Sequence, residues 1–150
     1  MIGLNSEAQI TVAAALIQQN GQILICQRRR SDRFALKWEF PGGKLRPGES
    51  AAEALARELA EELGVTAAIG QEVYRTRHRY DEHADELELI FFSAQLLPGS
   101  SSAGLGPQLP RNLAFEQIAW AEPATLPRYD FLPADRELIS LLSSGALRLP

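Results

Sequence analysis

One segment constrains this chain of 150 residues more than any other: "GGKLRPGESAAEALARELAEELGV", from Gly42 to Val65. Most of it must be helix. Ser50 with Glu53 three residues later makes a capping box, and Gly64 sits where a left-handed C-terminal cap belongs. On a wheel of about 100° per residue, Leu55, Leu59 and Leu63, with Ala52 and Ala56, form the stripe expected to be buried. Glu58, Glu61 and Glu62 fall within about 100° of one another on a different side, because spacings of three and four share a face. Like charges at that spacing cost about 0.2–0.5 kcal/mol per pair, and no lysine on that face relieves them. A solvated acidic face is one reading. A divalent cation site is the other, since magnesium takes hard oxygen ligands from a few carboxylates and from substrate phosphates. Wheel geometry alone leaves the two level.

The flanking sequence supplies the rest of a fold. "ITVAAALIQQNGQILICQRRR" reads as two mostly apolar strands joined at Asn20-Gly21, a dipeptide suited to a tight hairpin turn. "KWEFPGGKL" is a short extended piece broken by Pro41, Gly42 and Gly43. "VTAAIGQEVYRTRHRY" and "ELELIFFSAQLL" predict two further strands with a polar link from Asp81 to Asp85, and "FEQIAWAE" predicts a short last one. Pro98 to Pro110 is a Gly/Ser/Pro loop, too short to link domains. Pro133 to Ser144 predicts a second helix whose core face carries Leu138, Ile139, Leu141 and Leu142. Strands, a helix, more strands and a final helix give an α/β fold of the α+β type, a single domain over residues 1–150.

Composition removes several function classes. A net charge of −4 argues against a nucleic-acid coat or a polybasic membrane binder. The N-terminus "MIGLNSEAQI" lacks a basic region followed by an apolar run, and no stretch approaches the ~18 apolar residues of a membrane span. Cys26 is the single cysteine, which excludes an intrachain disulfide and predicts a reducing cytoplasm.

Spacing then separates the two readings of the glutamates. Gly43, five residues, Glu49, seven residues, then Arg57-Glu58-Leu59-Ala60-Glu61-Glu62-Leu63-Gly64-Val65 resembles the Nudix box at every defining position. "ILICQRRR", "WEFPGGK" and "LPADREL" resemble the MutT-like branch of that family, so the resemblance spans most of the chain. It implies the Nudix fold, a mixed β-sheet flanked by helices. It also implies magnesium-dependent attack of water on a phosphorus of a nucleoside triphosphate, giving the monophosphate and pyrophosphate, with manganese as a substitute ion. A small nucleotide is then the partner, without nucleic acid or membrane, acting on a monomer or weak homodimer.

By the same resemblance, Glu58, Glu61 and Glu62, the Gly43 carbonyl and Glu49 are the metal ligands. Glu58 is first choice to orient or deprotonate the attacking water, with Glu61 and Arg57 completing the catalytic group and Arg57 holding the glutamates in shape. Arg28, Glu39, Phe40, Lys44 and Asp135 form the implied substrate set. Arg28 takes phosphate, the backbone near Glu39 and Phe40 faces the base, and Asp135 reads it. Read as ionised, Asp135 only accepts hydrogen bonds, which suits the amino edge of cytosine first and of guanine second; its plain role is a helix cap. MutT-like relatives bring a further carboxylate from the loop before the last strand, but position 114 is alanine and Glu116 is the nearest candidate, set against an ordinary exposed strand residue.

Other features carry less. Arg29, Arg30 and Arg33 add charge near Arg28, while Arg75, Arg77 and Arg79 alternate along one strand face and read as solvated charges. His78 and His83 lack metal or triad spacing, and Cys26 within an apolar strand reads as buried. Hydrolysis of ADP-ribose or a dinucleoside polyphosphate, and a non-catalytic nucleotide-binding module, are the alternatives; the box glutamates are all present, which disfavours the module.

Overall fold

A computed structural model describes residues 9–82, 84–99 and 108–150; His83 and most of the Pro98–Pro110 loop lie outside them. The chain runs β1 (Gln9–Gln19), β2 (Gln22–Gln27), β3 (Trp38–Glu39), β4 (Gly42–Lys44), α1 (Ala51–Leu63), β5 (Ala67–His78), β6 (Glu86–Leu96), β7 (Gln117–Ala121) and α2 (Arg136–Ser144). Short 3-10 turns at Pro123–Arg128 and Pro133–Asp135 precede α2, so the second predicted helix begins as a tighter turn.

The strands form a seven-stranded mixed sheet in the order β3-β2-β1-β6-β5, with β4 added to β1 and β7 to β2. The Asn20-Gly21 turn has φ of 52° and 77°, as a two-residue hairpin requires. β1 is the pivot of the sheet. Its far end pairs with β2 (Gln18 with Ile23), its near end pairs with β4 (Ala13 with Gly43), and its other edge runs parallel to β6 from Gln9–Glu86 to Ile17–Ala94. β2 turns away to pair with β7 and β3. The loop that opens the acidic helix therefore inserts where β1 and β2 part.

Side chains alternate across β1 and split the core in two. Ala13, Ala15 and Ile17 pack with Leu55, Leu59 and Leu63 of α1. Ala14 and Leu16 pack with Leu89 and Phe91 of β6 and with Leu138, Ile139 and Leu142 of α2. The sheet is flanked on both faces, one helix to each.

The buried sector of α1 is displaced from the expected stripe. Leu55, Leu59 and Leu63 are buried as read, but Ala52 and Ala56 are exposed and Ala54 is buried in their place. Ala54 lies on the glutamate side of Leu55, because that side packs against β4 rather than facing water. The capping box at Ser50 and Glu53 is formed in both directions, and Gly64 takes the left-handed cap with φ 64°. Among the described residues, no helix is long and apolar enough to cross a membrane.

Candidate active site

The glycines of β4 set the site. A Cβ on Gly42 would lie 2.0 Å from the carbonyl oxygen of Ala13, so β4 approaches β1 only with glycine there. A Cβ on Gly43 would lie 2.5 Å from the carboxyl carbon of Glu58: the Glu58 carboxylate rests in the space a side chain would fill. Next along the helix, Glu62 reaches the same backbone, where the Gly42 N–H donates to its Oε1 at 3.2 Å. Its carboxyl is pushed up to about 8, first by burial and then by the neighbouring charges of Glu58 and Glu39.

Arg57 organises the remaining carboxylates. Its Nε and Nη2 donate to Glu49 at 2.7 and 2.9 Å, its Nη1 donates to Glu58 at 2.7 Å and Glu61 at 3.2 Å, and Nη2 also donates to the Lys44 carbonyl at 3.2 Å. A planar guanidinium can span these partners where an ammonium could not. Hydrogen bonds from Arg57, then from the backbone N–H of Arg46, hold the Glu49 carboxyl down at about 2. Glu49 is presented by a turn of Arg46 to Glu49 in which Gly48 takes φ 84°.

The site can be tested against a divalent cation. Hard oxygens converge at Glu58, Glu62 and the β4 backbone, which suits magnesium in chemistry. Among the described residues, however, no three carboxylate, histidine or cysteine side chains already stand in cation-holding geometry. Glu49, Glu58 and Glu61 are all held by Arg57. The donor set suits the ion in its oxygens, those of Glu58 and Glu62 lying beside the β4 backbone, and Glu49, Glu58 and Glu61 would exchange Arg57 for it.

A cleft leads out from these acids in two adjoining chambers. The inner one, about 230 Å³, is walled by Arg28, Glu39, Phe40, Lys44, Glu62 and Asp135 over a floor from β1 and β6. The outer one, about 510 Å³, shares Arg28, Glu39 and Lys44 and adds Phe34, Arg33 and Tyr80 at its rim. Arg28 donates from Nη1 to Glu39 Oε1 at 3.0 Å and from Nε to the Arg33 carbonyl at 2.8 Å. Burial raises the Glu39 carboxyl despite that arginine. Phe34 and Tyr80 stack with centroids 4.5 Å apart.

Asp135 needs two corrections. It begins α2 but makes no capping hydrogen bond, because its side chain turns inward to the chamber. It is also not set up as an ordinary ionised carboxylate: burial, then the charge of Glu39, pushes it up to about 8. Its place follows from a contact the sequence hides. Trp38 N–H donates to Asp130 and Leu132 N–H donates back to Trp38, stitching the segment before α2 to β3.

Other residues fall outside this assembly. Glu116 meets Arg30 at 3.3 Å and lines neither chamber. Arg75 pairs with Glu72 and Glu88, and Arg77 with Glu86, as charges along a strand face. Cys26 is fully buried, and burial raises its thiol, so it is no nucleophile. Sequence reading missed Phe34, Tyr80, Val12, Leu89 and Leu132 as cleft walls. The alternation of β1 and β6 marks two of them, Val12 and Leu89, as core without saying which end stays open.

Comparison with known proteins fits this geometry. The NUDIX domain family model matches residues 7–142. The chain is 33% identical over 130 residues to "CTP pyrophosphohydrolase" of Escherichia coli, covering 87% of this chain and 88% of that one. It is 36% identical over 140 residues to "Putative 8-oxo-dGTP diphosphatase 2" of Mycobacterium tuberculosis, covering 90% and 88%. The solution structure of the E. coli ORF135 protein superposes with a TM-score of 0.76 at 29% identity, covering 96% and 95%. Fold, site and likenesses make the chain a hydrolase of phosphoric anhydride bonds. It belongs to the Nudix family, in its MutT-like branch, whose members generally use divalent metal ions.

Proposed function

We propose that the chain is a magnesium-dependent pyrophosphohydrolase of nucleoside triphosphates, normal or oxidised, of the cytosine or guanine type, releasing the monophosphate and pyrophosphate. The observation that carries the reading is the set of groups gathered at one chamber. Glu62, Arg28, Lys44, Phe40 and Asp135 line it, and the Glu58 carboxylate lies against Gly43 in its wall. A triphosphate there would find acids to hold a cation, cations to take phosphate oxygens, and a ring and a polar group for the base. The relatives' names point the same way.

Glu58 and Glu62, with the Gly43 backbone, would hold magnesium or manganese, joined by Glu49 and Glu61 when these leave Arg57. The bound ion supplies positive charge where phosphate oxygens gain negative charge. Glu58 orients the attacking water and takes its proton, since its carboxylate lies against β4 beside the cation end. Arg57 fixes the remaining acids, and Lys44 and Arg28 position phosphate. Excluding bulk water falls to the apolar floor of Val12, Leu89 and Phe91.

The test is a screen of nucleoside triphosphates, ADP-ribose and dinucleoside polyphosphates, with products identified. Monophosphate and pyrophosphate, lost in a chelator and restored by Mg²⁺ or Mn²⁺, are the expected result. Orthophosphate as the first product, activity in chelator, or no turnover of any triphosphate overturns the reading.

A further inference from the structure

The acids of the site meet two arginines, and the two are held differently. The Arg57 side chain is 19% exposed, and its guanidinium donates to Glu49, Glu58, Glu61 and the Lys44 carbonyl. The Arg46 side chain is 64% exposed, and its nearest carboxylate oxygen among the described residues is Glu61 Oε2, 3.9 Å from Nη2. An exposed pair at that distance contributes little to stability, so the fold gives no account of this side chain. The Arg46 backbone, by contrast, is fixed on both sides. Its N–H donates to Glu49 Oε1 at 2.8 Å, and its carbonyl accepts from the Glu49 N–H at 3.0 Å. Pro47 further confines the residue before it to extended backbone. A cation is thus mounted on a braced turn with its charged end in solvent.

Contacts link this turn to the inner chamber through the acids. Glu62 lines the chamber and accepts from the Gly42 N–H. Glu58 lies against Gly43, Arg57 joins Glu58 to Glu49 and Glu61, and Arg46 meets both of these. Arg46 itself lines neither chamber. From Gly43 to Arg46 the chain advances three residues, at most about 10 Å, which is the scale of a triphosphate.

We infer that Arg46 binds the terminal phosphate of the nucleotide, the group that departs within pyrophosphate, and thereby sets a preference for triphosphates over diphosphates. This deepens the proposed nucleotide activity and rests on it for the identity of the ligand. Charge argues for the placement. Arg28 and Lys44 stand in the inner chamber, where they serve phosphates nearer the nucleoside. A terminal phosphate reaching past them meets Glu49 and Glu61, and like charges at close range repel unless a cation stands by. Arg46 is that cation, already beside both acids. Its guanidinium gives up only the 3.9 Å contact to take phosphate oxygens, and its fork matches two of them at once. A diphosphate ends short of it.

Two measurements test this. The first is steady-state kinetics in magnesium with CTP as substrate and CDP as substrate or competitive inhibitor. Arg46→Ala should raise KM for CTP about tenfold and leave the affinity for CDP within about twofold, so that the preference for the triphosphate shrinks about tenfold. Arg77→Ala removes an exposed arginine of β5 that pairs with Glu86, and should leave the preference unchanged. If Arg46 merely supports Glu61, both nucleotides weaken alike and more magnesium is needed for the half-maximal rate. That result, an unchanged preference in Arg46→Ala, or an equal loss in Arg77→Ala overturns the inference and leaves the triphosphate activity standing. The second readout needs no turnover. Calorimetric titration of inorganic pyrophosphate in magnesium buffer should give a Kd about tenfold higher for Arg46→Ala than for wild type. Equal Kd values, or no binding to wild type, overturn the inference even if no nucleotide is hydrolysed.

Discussion

Replacing Glu62 by Gln should stabilise the metal-free protein while removing its function, and the gain should depend on pH in a calculable way. Gln keeps the shape and can still accept the Gly42 N–H that Glu62 accepts at 3.2 Å. What it removes is a carboxyl raised from 4.5 to about 8. Between those values the native carboxyl holds a proton that the unfolded chain has released. The native state therefore binds more protons, and wild-type stability falls as pH rises through the window. At about 1.4 kcal/mol per pH unit, the displacement sets a ceiling near 5 kcal/mol above pH ~8. Coupling to Glu58 and Glu39, and relaxation of a part-open site, bring the expected gain to about 2 kcal/mol. For a chain of this length, that is a rise in Tm of about 4–8 °C.

The assay is calorimetry in chelator from pH ~4.5 to ~8.5. The two proteins should melt together at the acid end and diverge towards the alkaline end, the variant being the more stable. Magnesium should raise the wild-type Tm and leave that of the variant nearly unmoved, and kcat should fall by several orders of magnitude. Parallel melting curves at every pH would refute the assignment of a raised, uncompensated carboxyl.

Gly43→Ala places a Cβ where the Glu58 carboxyl carbon lies 2.5 Å away, so the helix should survive while the carboxylate is displaced; magnesium affinity by calorimetric titration should drop at least about tenfold with Tm changed by only about 2 °C. Arg57→Lys loses the fork that holds Glu49, Glu58 and Glu61; kcat should fall about 10²-fold with KM for the nucleotide little changed, and the Glu49 carboxyl, held at about 2 in wild type, should titrate nearer its ordinary 4.5 by ¹³C NMR. Arg28→Ala frees Glu39 from its partner at 3.0 Å and removes a phosphate contact; KM should rise about tenfold or more, read from initial rates against nucleotide concentration.

What the sequence made legible was what depends on neighbours along the chain. Ser50 with Glu53, Asn20 with Gly21, and the glutamates three and four apart act within a turn or two, so their spacing states their geometry. The parallel pairing of β1 with β6 joins residues such as Gln9 and Glu86 with no turn between to announce it. It is that pairing which builds the cleft floor from Val12 and Leu89. The buried sector of α1 was misplaced towards Ala52 and Ala56 because a wheel records the helix and not the strand it meets. For Asp135 the sequence offered a helix cap beside a substrate-binding role; the cap bond is not made, and the side chain lines the chamber, a placement that depends on the bridge between Trp38 and Phe131 and not on neighbours in "LPADREL".

Glu62 and Asp135 pose one electrostatic problem in the same small chamber. Glu39, Glu62 and Asp135 face a space whose nearby cations are Arg28, already paired with Glu39, and Lys44. A bare triphosphate entering that field would add negative charge to acids that lack counterions, at a cost that low-dielectric walls enlarge. A cation at Glu58 and Glu62 would lower that cost, so the proposed activity predicts that a nucleotide carrying its divalent ion binds more tightly than the bare one, read by calorimetric titration with and without magnesium. Magnesium should also return Glu62 towards the ordinary carboxylate range while leaving Asp135, raised first by burial, little moved, a difference that ¹³C NMR reads residue by residue.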